Sequence, residues 1–574
     1  MKTLRRTDIV VIGGGWTGLM MAKELGARTG LNISVLERGK PRKTADYHES
    51  MDELDYAIRL RLMQDVSKDT FTFRHTTADR ALPLRQHGSV LPGSGTGGAG
   101  EHWGGSARRI GPYAFQLRSH LVERYGAAKL PADNLLQDWG CSYAEMEPWY
   151  TRAEQLIGVS GQSGLHPFEP PRSSPYPVPP LKVGPFPKSF ADAARSQGYH
   201  PYFTSSAILS QPYTNPDGVS RPACQYCGFC DRFGCMIGAK AQPTAVLMPA
   251  IARSKNVTVT HGASVRRVLH RDGRATGVTW VDHRGQEFFQ PAGLVILSSW
   301  TLSNNRLLLL SKIGEPYDPG TGKGQVGRNL THQASGGVIA FVDKPLNGFM
   351  GAASTGVAIS DLECDNFDHG PLNFLGGAYV QASTPGHPPI GAFGILPPHI
   401  QATWGSEWKK AALEWYDRST RIVVMGDHFA YKTNYLSLDP TYRDSLGDPL
   451  IRVTMDWTDN ERNLRAYVIP KVVELARAIP GVQHVRPAAP YRRYDATVYM
   501  ASHLQGGVIQ GVSPDTSVLN PWLQCWNMTN LFVLGGSSFP QNCFANPTLT
   551  VLAQTLRCAD ALVGRYLKRP GPLA

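Results

Sequence analysis

The stretch DIVVIGGGWTGLMMAKEL, residues 8–25, decides the fold, because an apolar run leads directly into a glycine turn and then into a helix. Residues 8–12 predict a buried strand, residues 13–18 a tight turn, and residues 19–25 the beginning of a helix. A second apolar strand is predicted at residues 33–36. This order forms one βαβ unit. The stretch therefore predicts an α/β fold with a Rossmann-like nucleotide-binding domain.

The turn has the spacing G-x-G-x-x-G at Gly13, Gly15 and Gly18. Gly13 allows the tight turn, Gly15 lets the backbone approach a pyrophosphate, and Gly18 lets the helix pack closely on the strand. The helix N-terminus supplies amide donors and a positive dipole to the phosphates. Glu37 closes the second strand and can accept hydrogen bonds from both ribose hydroxyls. These residues predict a dinucleotide site, and the motif alone does not separate FAD from NAD.

Length and composition describe a folded protein with more than one lobe. The chain has 574 residues, of which 42% are hydrophobic and 18% charged, so we expect two or more packed lobes. Its net charge of +12 fits an anionic substrate, an acidic partner or a lipid surface, and also a merely solvated basic exterior. No Lys/Arg-rich run with interleaved aromatics occurs in the sequence, so we expect no nucleic-acid partner.

The sequence contains no run of about eighteen apolar residues, so we expect no transmembrane helix. The first residues pass from a few polar side chains directly into the strand at residues 8–12, which leaves no room for a signal peptide. Membrane attachment and export are therefore expected to depend on a partner.

The middle of the chain mixes polar, extended and strand-like segments. Residues 45–91 are polar with a helical pattern, and the Pro-rich residues 167–187 are expected to be extended. Alternating strands at residues 257–259, 265–270 and 275–281 predict an antiparallel ribbon.

The second half of the chain returns to the strand-helix pattern. A buried strand is predicted at residues 293–298, followed by a helix at residues 302–311. Residues 336–498 mix short strands, loops and many aromatics, which is typical of a lobe that covers a substrate. The chain then resumes with a strand at residues 531–534, two glycines and a helix at residues 547–567.

Four of the nine cysteines fall within twelve residues, at Cys224, Cys227, Cys230 and Cys235. This clustering indicates a metal site, because the cysteines are too few and too uneven for a disulfide framework. The spacing matches neither of the two common ferredoxin patterns, and four thiolates could hold an iron-sulfur cluster or tetrahedral zinc. The other five cysteines are scattered and are interpreted as buried small hydrophobic residues.

Several distant segments together resemble the glucose-methanol-choline (GMC) oxidoreductase family, and within it the large flavoprotein subunits of bacterial gluconate, fructose, glucose and glucoside dehydrogenases. The matching segments are GGGWTG at residues 13–18 with Glu37, GSGTGGAGEHWGGSARR at residues 93–109, LVILSSWTLSNNRLLLLS at residues 294–311, VGRNLTHQ at residues 326–333, SHLQGG at residues 502–507 and GGSSFPQNCFANPTLT at residues 535–550. They span nearly the whole chain, and the resemblance implies that the dinucleotide is FAD.

The resemblance also implies a discontinuous layout, in which a GMC-type Rossmann-like FAD-binding domain is interleaved with an α+β substrate-binding domain. The FAD-binding domain is expected at residues 1–45, 88–130, 220–335 and 500–574, with the cysteine loop at residues 222–240 inside it. The substrate-binding or cap domain is expected at residues 46–87, 131–219 and 336–499.

By the same resemblance, the glycine loop at residues 93–105 lies along the flavin. The implied cofactor contacts there and elsewhere are Gly97, Gly98, His102, Gly104, Ser106, Val265, Gly535, Gly536, Asn546 and Thr548. Val265 would touch the adenine side through its backbone. The pair His102-Trp103 resembles the His-Trp pair of pyranose oxidases, where the histidine is bonded covalently to the flavin. A covalent or a non-covalent FAD is compatible with the sequence.

His503 and Asn546 match the catalytic histidine and the second histidine-or-asparagine of the family. Oxidation of an alcohol moves a hydride to the flavin while the hydroxyl loses its proton, and an imidazole suits the second task. Asn546 can hydrogen-bond the same hydroxyl and fix the carbon over the flavin. Gly506-Gly507 stands where many relatives have Gly-Thr, which leaves the role of His503 intact.

The resemblance implies a dehydrogenase that oxidises a hydroxyl of a sugar, glycoside, polyol or aldonate and passes electrons through an iron-sulfur cluster, a [3Fe-4S] centre held by three of the four cysteines. The implied partners are a small chaperone-like subunit and a multihaem cytochrome c subunit at the periplasmic face of a membrane. The alternatives are a pyranose-type oxidase that reduces oxygen and a non-catalytic electron-relay flavoprotein. The sequence leaves open the substrate, the oxidised carbon, the physiological acceptor and the oligomeric state.

Overall fold

The computed structural model describes residues 1–47, 65–67, 69–86, 88–383, 395–498, 501–542 and 545–573. Within them the strands are β1 (Lys2–Thr3), β2 (Thr7–Ile12), β3 (Ile33–Glu37), β4 (Thr72–Arg74), β5 (Leu82–Pro83), β6 (Tyr202–Phe203), β7 (Tyr213–Thr214), β8 (Ser220–Arg221), β9 (Val257–His261), β10 (Ser264–Arg271), β11 (Arg274–Val281), β12 (Glu287–Leu297), β13 (Arg328–Thr331), β14 (Ala334–Val342), β15 (Gly356–Ile359), β16 (Ala378–Ser383), β17 (Ser419–Gly426), β18 (Tyr435–Arg443), β19 (Pro449–Thr454), β20 (Val482–Pro487), β21 (Gln505–Gly507) and β22 (Leu531–Val533).

The helices of the same residues are α1 (Trp16–Arg28), α2 (Pro112–Phe115), α3 (Leu117–Tyr125), α4 (Tyr143–Ile157), α5 (Pro185–Ser196), α6 (Pro243–Val246), α7 (Met248–Ile251), α8 (Thr301–Leu310), α9 (Gly405–Trp415), α10 (Asp459–Arg477) and α11 (Thr548–Ala561). Among these residues no helix is both long and apolar enough to span a bilayer.

The first large sheet confirms the predicted βαβ unit and the α/β fold class. Its strand order is β10-β11-β12-β2-β3-β9, and β1 and β22 also pair with β12. The pairs β22-β12, β12-β2, β2-β3 and β3-β9 are parallel, while β10, β11 and the first half of β12 form an antiparallel ribbon. Strands β2 and β22 and the second half of β12 are almost completely buried, as expected for parallel strands with both faces covered. Their carboxyl ends lie at one edge of the sheet.

The second large sheet, in the order β20-β14-β17-β16-β15-β6, is antiparallel. Helices α5 and α10 pack against this sheet, and together they enclose a separate apolar core. The capping box of Thr458 and Glu461 begins α10 and satisfies backbone donors at its first turn. This second layer fits the predicted α+β lobe, and the domain boundaries stay a prediction.

One strand assignment from the sequence was wrong. The segment 257–259 was predicted in the antiparallel ribbon, but β9 pairs in parallel with β3, through Ile33 opposite Val257. A strand at the edge of a parallel sheet is half-exposed and shows the same alternation as a ribbon strand, so the pattern does not separate the two cases. The strand predicted at residues 293–298 also begins earlier, at Glu287, because its first half joins the ribbon. Most of the helical pattern predicted for residues 45–91 lies outside the described residues.

Candidate active site

The glycine turn lies at the carboxyl end of β2, and at Gly13 and Gly18 it has room for hydrogen atoms only. Gly13 has a φ of +105°, and a Cβ there would lie 2.6 Å from the carbonyl oxygen of Ser298. A Cβ on Gly18 would lie 1.9 Å from the carbonyl oxygen of Gly13. Gly15 is the N-cap of α1, and the first turn of that helix contains no acidic residue. The turn therefore leaves a helix N-terminus open to an anionic group.

Glu37 connects the glycine turn to the loops beside it. One oxygen of its buried carboxylate accepts a hydrogen bond from the backbone N–H of Gly14 at 2.7 Å. The other accepts from Gly39 at 2.7 Å and Gly95 at 3.1 Å. A carboxylate offers about four acceptor positions, so three are used within the chain. The predicted ribose contact stays a prediction, and the structure adds a second role in which Glu37 holds these glycine segments together.

The glycine loop of residues 93–105 lies directly on the turn. The backbone N–H of Gly97 donates to the carbonyl of Gly14 at 2.7 Å, and Gly97 pairs with Gly15 in an isolated bridge. Gly97 and Gly98 both have positive φ values, and a Cβ on Gly98 would lie 3.4 Å from the Cα of Gly15. The two glycine segments, far apart in sequence, thus form adjoining backbone walls without side chains between them.

Val265, the second residue of β10, lies near Glu37, the last residue of β3. The backbone N–H of Ala263 donates to the carbonyl of Glu37 at 2.9 Å, which brings the start of β10 beside the carboxylate. His261 contacts the hydroxyl of Thr96 in the glycine loop at 2.7 Å. Val265 is therefore near the end of β3, where the resemblance puts the adenine side, and its contact with a cofactor stays a prediction.

His102 and the end of the glycine loop lie deeper. The imidazole of His102 is buried, and within the described part of the chain its Nε2 has no hydrogen-bond partner. Burial, with smaller contributions from the charges of Lys240 and Arg42, lowers the pKa of His102 to about 3. A buried ring nitrogen with no partner is what a cofactor atom could satisfy, so this residue fits the flavin that the resemblance implies.

His503 and Asn546 are brought together by the fold. His503 lies just before β21, and Asn546 lies just before Pro547 and α11. The side-chain nitrogen Nδ2 of Asn546 is 3.3 Å from Nε2 of His503. The amide oxygen of Asn546, Oδ1, accepts a hydrogen bond from the hydroxyl of Ser106 at 2.8 Å. Three predicted site residues therefore form one hydrogen-bonded row.

The imidazole of His503 is held from its other nitrogen as well. Its Nδ1 is 2.6 Å from Oε1 of Gln333. Burial, with a smaller contribution from the neighbouring His332, lowers the pKa of His503 to about 3. At neutral pH the ring is therefore uncharged and able to accept a proton. Gln333 was not singled out from the sequence, although it is the last residue of the matching segment VGRNLTHQ. Its position in that segment is the one sequence feature that could have indicated it. Only the fold brings it to His503.

The carboxyl-terminal glycines complete the edge of the sheet. Gly535 follows β22 with a φ of +97°, and Gly536 begins a short 3-10 turn. A Cβ on Gly536 would lie 3.3 Å from the carbonyl oxygen of Leu504, next to His503. Thr548 is the first residue of α11, two residues after Asn546. Nucleotides bind outside the carboxyl ends of parallel strands in folds of this kind, and the predicted site residues of these segments lie at that edge.

The four clustered cysteines occupy one loop, in which Cys230 and Cys235 are buried and Cys224 and Cys227 are partly exposed. Burial, with smaller contributions from other cysteines of the loop, raises the pKa of the Cys224 thiol to about 11 and that of Cys230 to about 12. Backbone N–H groups point at two of the sulfurs: Tyr226 at Cys224 at 3.3 Å, and Lys240 at Cys235 at 3.5 Å.

The described residues contain no group of three or more His, Cys, Asp or Glu side chains arranged to hold a metal ion. The cysteine loop therefore has thiols that are close enough to affect one another, but not a formed ligand set. The predicted iron-sulfur centre, and the choice between iron-sulfur and zinc, stay predictions.

A buried lysine that the sequence did not single out joins the cysteine loop to the glycine loop. Lys240 is completely buried. Its ammonium group donates to the carbonyls of Glu101 at 3.1 Å and Trp103 at 2.8 Å on one side, and to those of Cys230 at 2.8 Å and Phe233 at 2.7 Å on the other. The loop expected along the flavin and the loop with the cysteines are thus packed against one cation.

Comparison with known proteins adds relatives across the full chain. GMC oxidoreductase family models match residues 215–335 and 430–555. The gluconate 2-dehydrogenase flavoprotein of Pantoea cypripedii is 42% identical over 590 residues, covering 99% of this chain and 95% of the relative. The fructose dehydrogenase large subunit of Gluconobacter japonicus is 24% identical over 602 residues, covering 97% of each.

Solved structures show the same fold at low sequence identity. The formate oxidase of Aspergillus oryzae RIB40 superimposes with a TM-score of 0.65 at 14% identity, covering 99% of both chains. The pyridoxine 4-oxidase of Mesorbium loti superimposes with a TM-score of 0.62 at 16% identity, covering 96% of this chain and 98% of that one.

A glycine turn at the carboxyl ends of parallel strands, next to an imidazole-amide pair, fits the class of dinucleotide-dependent oxidoreductases. The full-length identity of 42% and the two family matches then decide the family: the chain belongs to the GMC oxidoreductases. It is accordingly an FAD-dependent oxidoreductase that acts on CH-OH groups.

Proposed function

We propose that this chain is the catalytic flavoprotein of a sugar or sugar-acid dehydrogenase, with gluconate as the first substrate to test. The observation that carries the proposal is the pair of His503 Nε2 and Asn546 Nδ2 at 3.3 Å. Identity of 42% to a gluconate 2-dehydrogenase flavoprotein supports the substrate class. Glucose, glucosides, fructose and other polyols are the competing substrates.

In this proposal His503, Asn546 and Ser106 have separate roles in the oxidation of a secondary alcohol. Bound FAD supplies the acceptor for the hydride that leaves the carbon. The lone pair of His503 Nε2 takes the hydroxyl proton, because the ring is neutral and buried. Asn546 donates its amide N–H to the hydroxyl oxygen, and Ser106 holds the amide in that orientation. The glycine segments at residues 13–18 and 93–105 provide the backbone surfaces for the cofactor.

Replacement of His503 by alanine tests the catalytic assignment. We expect His503→Ala to retain FAD and to lower the rate of flavin reduction by substrate by about 10²- to 10⁴-fold, the usual contribution of a general base. The measurement is anaerobic bleaching of the flavin absorbance in stopped flow. Replacement of the exposed His283 by alanine is the matched control and should leave the rate unchanged. Unchanged bleaching in His503→Ala would refute the proposed role.

A screen of sugars and sugar acids with an artificial dye acceptor tests the substrate. We expect gluconate to give the highest kcat/KM, and the basic net charge of +12 agrees with an anionic substrate. A neutral sugar that exceeds gluconate would move the assignment to another dehydrogenase of the same class. Release of hydrogen peroxide in step with substrate consumption would instead indicate an oxidase.

We further propose that electrons leave the flavin through an iron-sulfur centre held by Cys224, Cys227, Cys230 and Cys235, with three of them as ligands of a [3Fe-4S] cluster. The support is four free thiols in one loop, backbone N–H groups directed at two sulfurs, and the packing of this loop on the glycine loop. Ligation requires the thiolate form, so at these raised thiol pKa values the positive charge of the bound iron has to displace the protons.

Metal analysis of the anaerobically purified protein tests the cluster. We expect iron and acid-labile sulfide, and we expect Cys230→Ala to lower both while FAD stays bound. Cys558→Ala, which removes a buried cysteine of α11, is the matched control and should keep the iron. Stoichiometric zinc without iron would overturn this part of the proposal and leave the role of His503 untouched.

Partner subunits follow from the same proposal. We propose a small chaperone-like subunit and a multihaem cytochrome c as partners, at the periplasmic face of a membrane. Two relatives, the gluconate 2-dehydrogenase flavoprotein and the fructose dehydrogenase large subunit, support a place in a multisubunit enzyme. Purification from membranes of the native host through a tag on this chain, followed by haem and subunit analysis, tests the assembly; recovery of the chain alone would contradict it.

A further inference from the structure

Gln333 lies on the opposite side of His503 from Asn546. It follows β13, and its side chain is completely buried. Its amide oxygen Oε1 is 2.6 Å from Nδ1 of the imidazole, and Nε2 of the same ring is 3.3 Å from Asn546. Each ring nitrogen of His503 therefore contacts one side-chain amide, Nδ1 that of Gln333 and Nε2 that of Asn546.

The contact with Gln333 decides which nitrogen carries the proton. An amide oxygen only accepts hydrogen bonds, so Nδ1 of a neutral His503 must be the N–H and donates to Gln333. Nε2 is then left with its lone pair on the side of Asn546. This is the tautomer that a base needs if a substrate hydroxyl is to lie beside Asn546.

The backbone around Gln333 is held firmly against the segment of His503. The preceding residue, His332, donates from Nε2 to the carbonyl of Ala501 at 2.5 Å, and its own backbone N–H donates to Nδ1 of His428 at 2.8 Å. The side chain of Asn542 reaches the carbonyl of His503 at 3.4 Å. The titratable groups in these contacts are His332 and His428, both buried, together with the buried Tyr494, whose hydroxyl is 3.2 Å from Nδ1 of His332.

We propose that Gln333 is a positioning residue that fixes His503 as the Nδ1–H tautomer and keeps its Nε2 directed at the substrate hydroxyl. The inference rests on the proposed role of His503. In many hydrolytic triads a carboxylate orients the histidine. In this protein the neutral amide of Gln333 would have that role, so the ring is oriented without a buried negative charge.

Two substitutions of Gln333 separate orientation from structure. Gln333→Met keeps a similar volume and removes the acceptor; we expect kcat to fall by about tenfold or more, with KM and FAD content nearly unchanged. Gln333→Glu keeps an acceptor at the same place, so we expect it to retain more activity than Gln333→Met. Because a carboxylate beside Nδ1 raises the pKa of the imidazole, the acidic limb of its kcat-pH profile should move to higher pH.

The outcomes distinguish this inference from the proposed function. If His503→Ala is inactive while Gln333→Met has the wild-type kcat and pH profile, the tautomer role of Gln333 is wrong and the role of His503 stands. If His503→Ala is active, the proposed function fails first. Should Gln333→Met lose its flavin, Gln333→Glu decides alone: a displaced acidic limb supports the inference, and a profile identical to wild type overturns it.

Discussion

At the scale of single residues, the predicted site separates into positions that tolerate only hydrogen as a side chain and positions that perform chemistry. Gly13 and Gly18 belong to the first kind, because neighbouring carbonyl oxygens lie where a Cβ would be. His503 and Asn546 belong to the second kind. The sequence predicted both kinds, the first from spacing within one turn and the second from resemblance of their flanking segments.

Gly18→Ala tests whether a position in the turn tolerates only hydrogen as a side chain. The added methyl group would lie 1.9 Å from the carbonyl oxygen of Gly13 and 2.6 Å from Oγ of Ser298, so α1 must move away from β2. We expect a loss of stability on the order of 1–3 kcal/mol, the usual cost of overpacking, and a lower FAD content of the purified protein. Denaturant unfolding and the ratio of flavin to protein absorbance measure the two effects.

Gly30→Ala is the matched control for this change. Gly30 lies shortly after the same helix and has no atom within 4 Å of the position of an added Cβ. We expect wild-type stability and flavin content in this variant. If Gly18→Ala behaved like Gly30→Ala, the close approach of helix and turn would not matter for cofactor binding.

At the scale of elements, the structure adds a connection that no segment shows by itself. The glycine loop and the cysteine loop are both irregular, yet their backbones converge on the ammonium group of Lys240. The side chain of Trp103 also donates to the carbonyl of Ala241 at 2.5 Å, and the backbone N–H of Arg232 donates to the carbonyl of His102 at 2.8 Å. These contacts make the two loops one packed unit.

Lys240→Met tests this connection. The substitution keeps most of the apolar stem but removes the ammonium donor from the four carbonyls, and each buried group left without a partner costs about 1–3 kcal/mol. We expect a loss of stability of about 3 kcal/mol or more and faster alkylation of Cys230 and Cys235 by iodoacetamide. Mass spectrometry of the alkylated protein at timed intervals gives the rates at the two sites.

Lys188→Met removes an exposed lysine of α5, a helix that packs on the second sheet. It should leave the alkylation rates and the stability unchanged. Equal alkylation rates in Lys240→Met and the wild type would show that the loops hold together without the buried cation.

At the scale of the whole molecule, several buried histidines are kept neutral by the fold. Burial lowers the pKa of His102, His428 and His503 to about 3 and that of His332 to about 4. The unfolded chain protonates these residues near pH 6.5. Between about pH 6.5 and pH 4 the unfolded state therefore binds more protons than the folded state, and the free energy of unfolding decreases as the pH falls.

His428→Asn tests this linkage. An asparagine oxygen can accept the hydrogen bond that Nδ1 of His428 accepts from the backbone of His332, and it does not titrate in this range. We expect the free energy of unfolding of the variant to depend less steeply on pH between about 6.5 and 5, by up to about 1.4 kcal/mol per pH unit. Urea denaturation at several pH values measures this slope.

His283→Asn, at an exposed histidine, should keep the wild-type slope. A slope in His428→Asn equal to that of the wild type would show that His428 does not contribute to the acid sensitivity of the fold.

The sequence by itself determined the nucleotide-binding unit, the α/β class and the candidate residues His503 and Asn546. The unit was predictable because its strand, turn and helix are contiguous, so their hydrophobic spacing and glycines are local. The place of β9 was not, because parallel and antiparallel edge strands have the same alternation of side chains.

Only the tertiary structure decided how the site is held. Gln333 precedes His503 by 170 residues and Ser106 precedes Asn546 by 440, and their hydrogen bonds exist because distant strand ends and loops meet at one edge of the sheet. Lys240 likewise gains its four acceptors from two loops that are separated by more than a hundred residues. Periodicity and motif spacing describe neighbours along the chain, whereas the orientation of a side chain is set by whatever the fold packs against it.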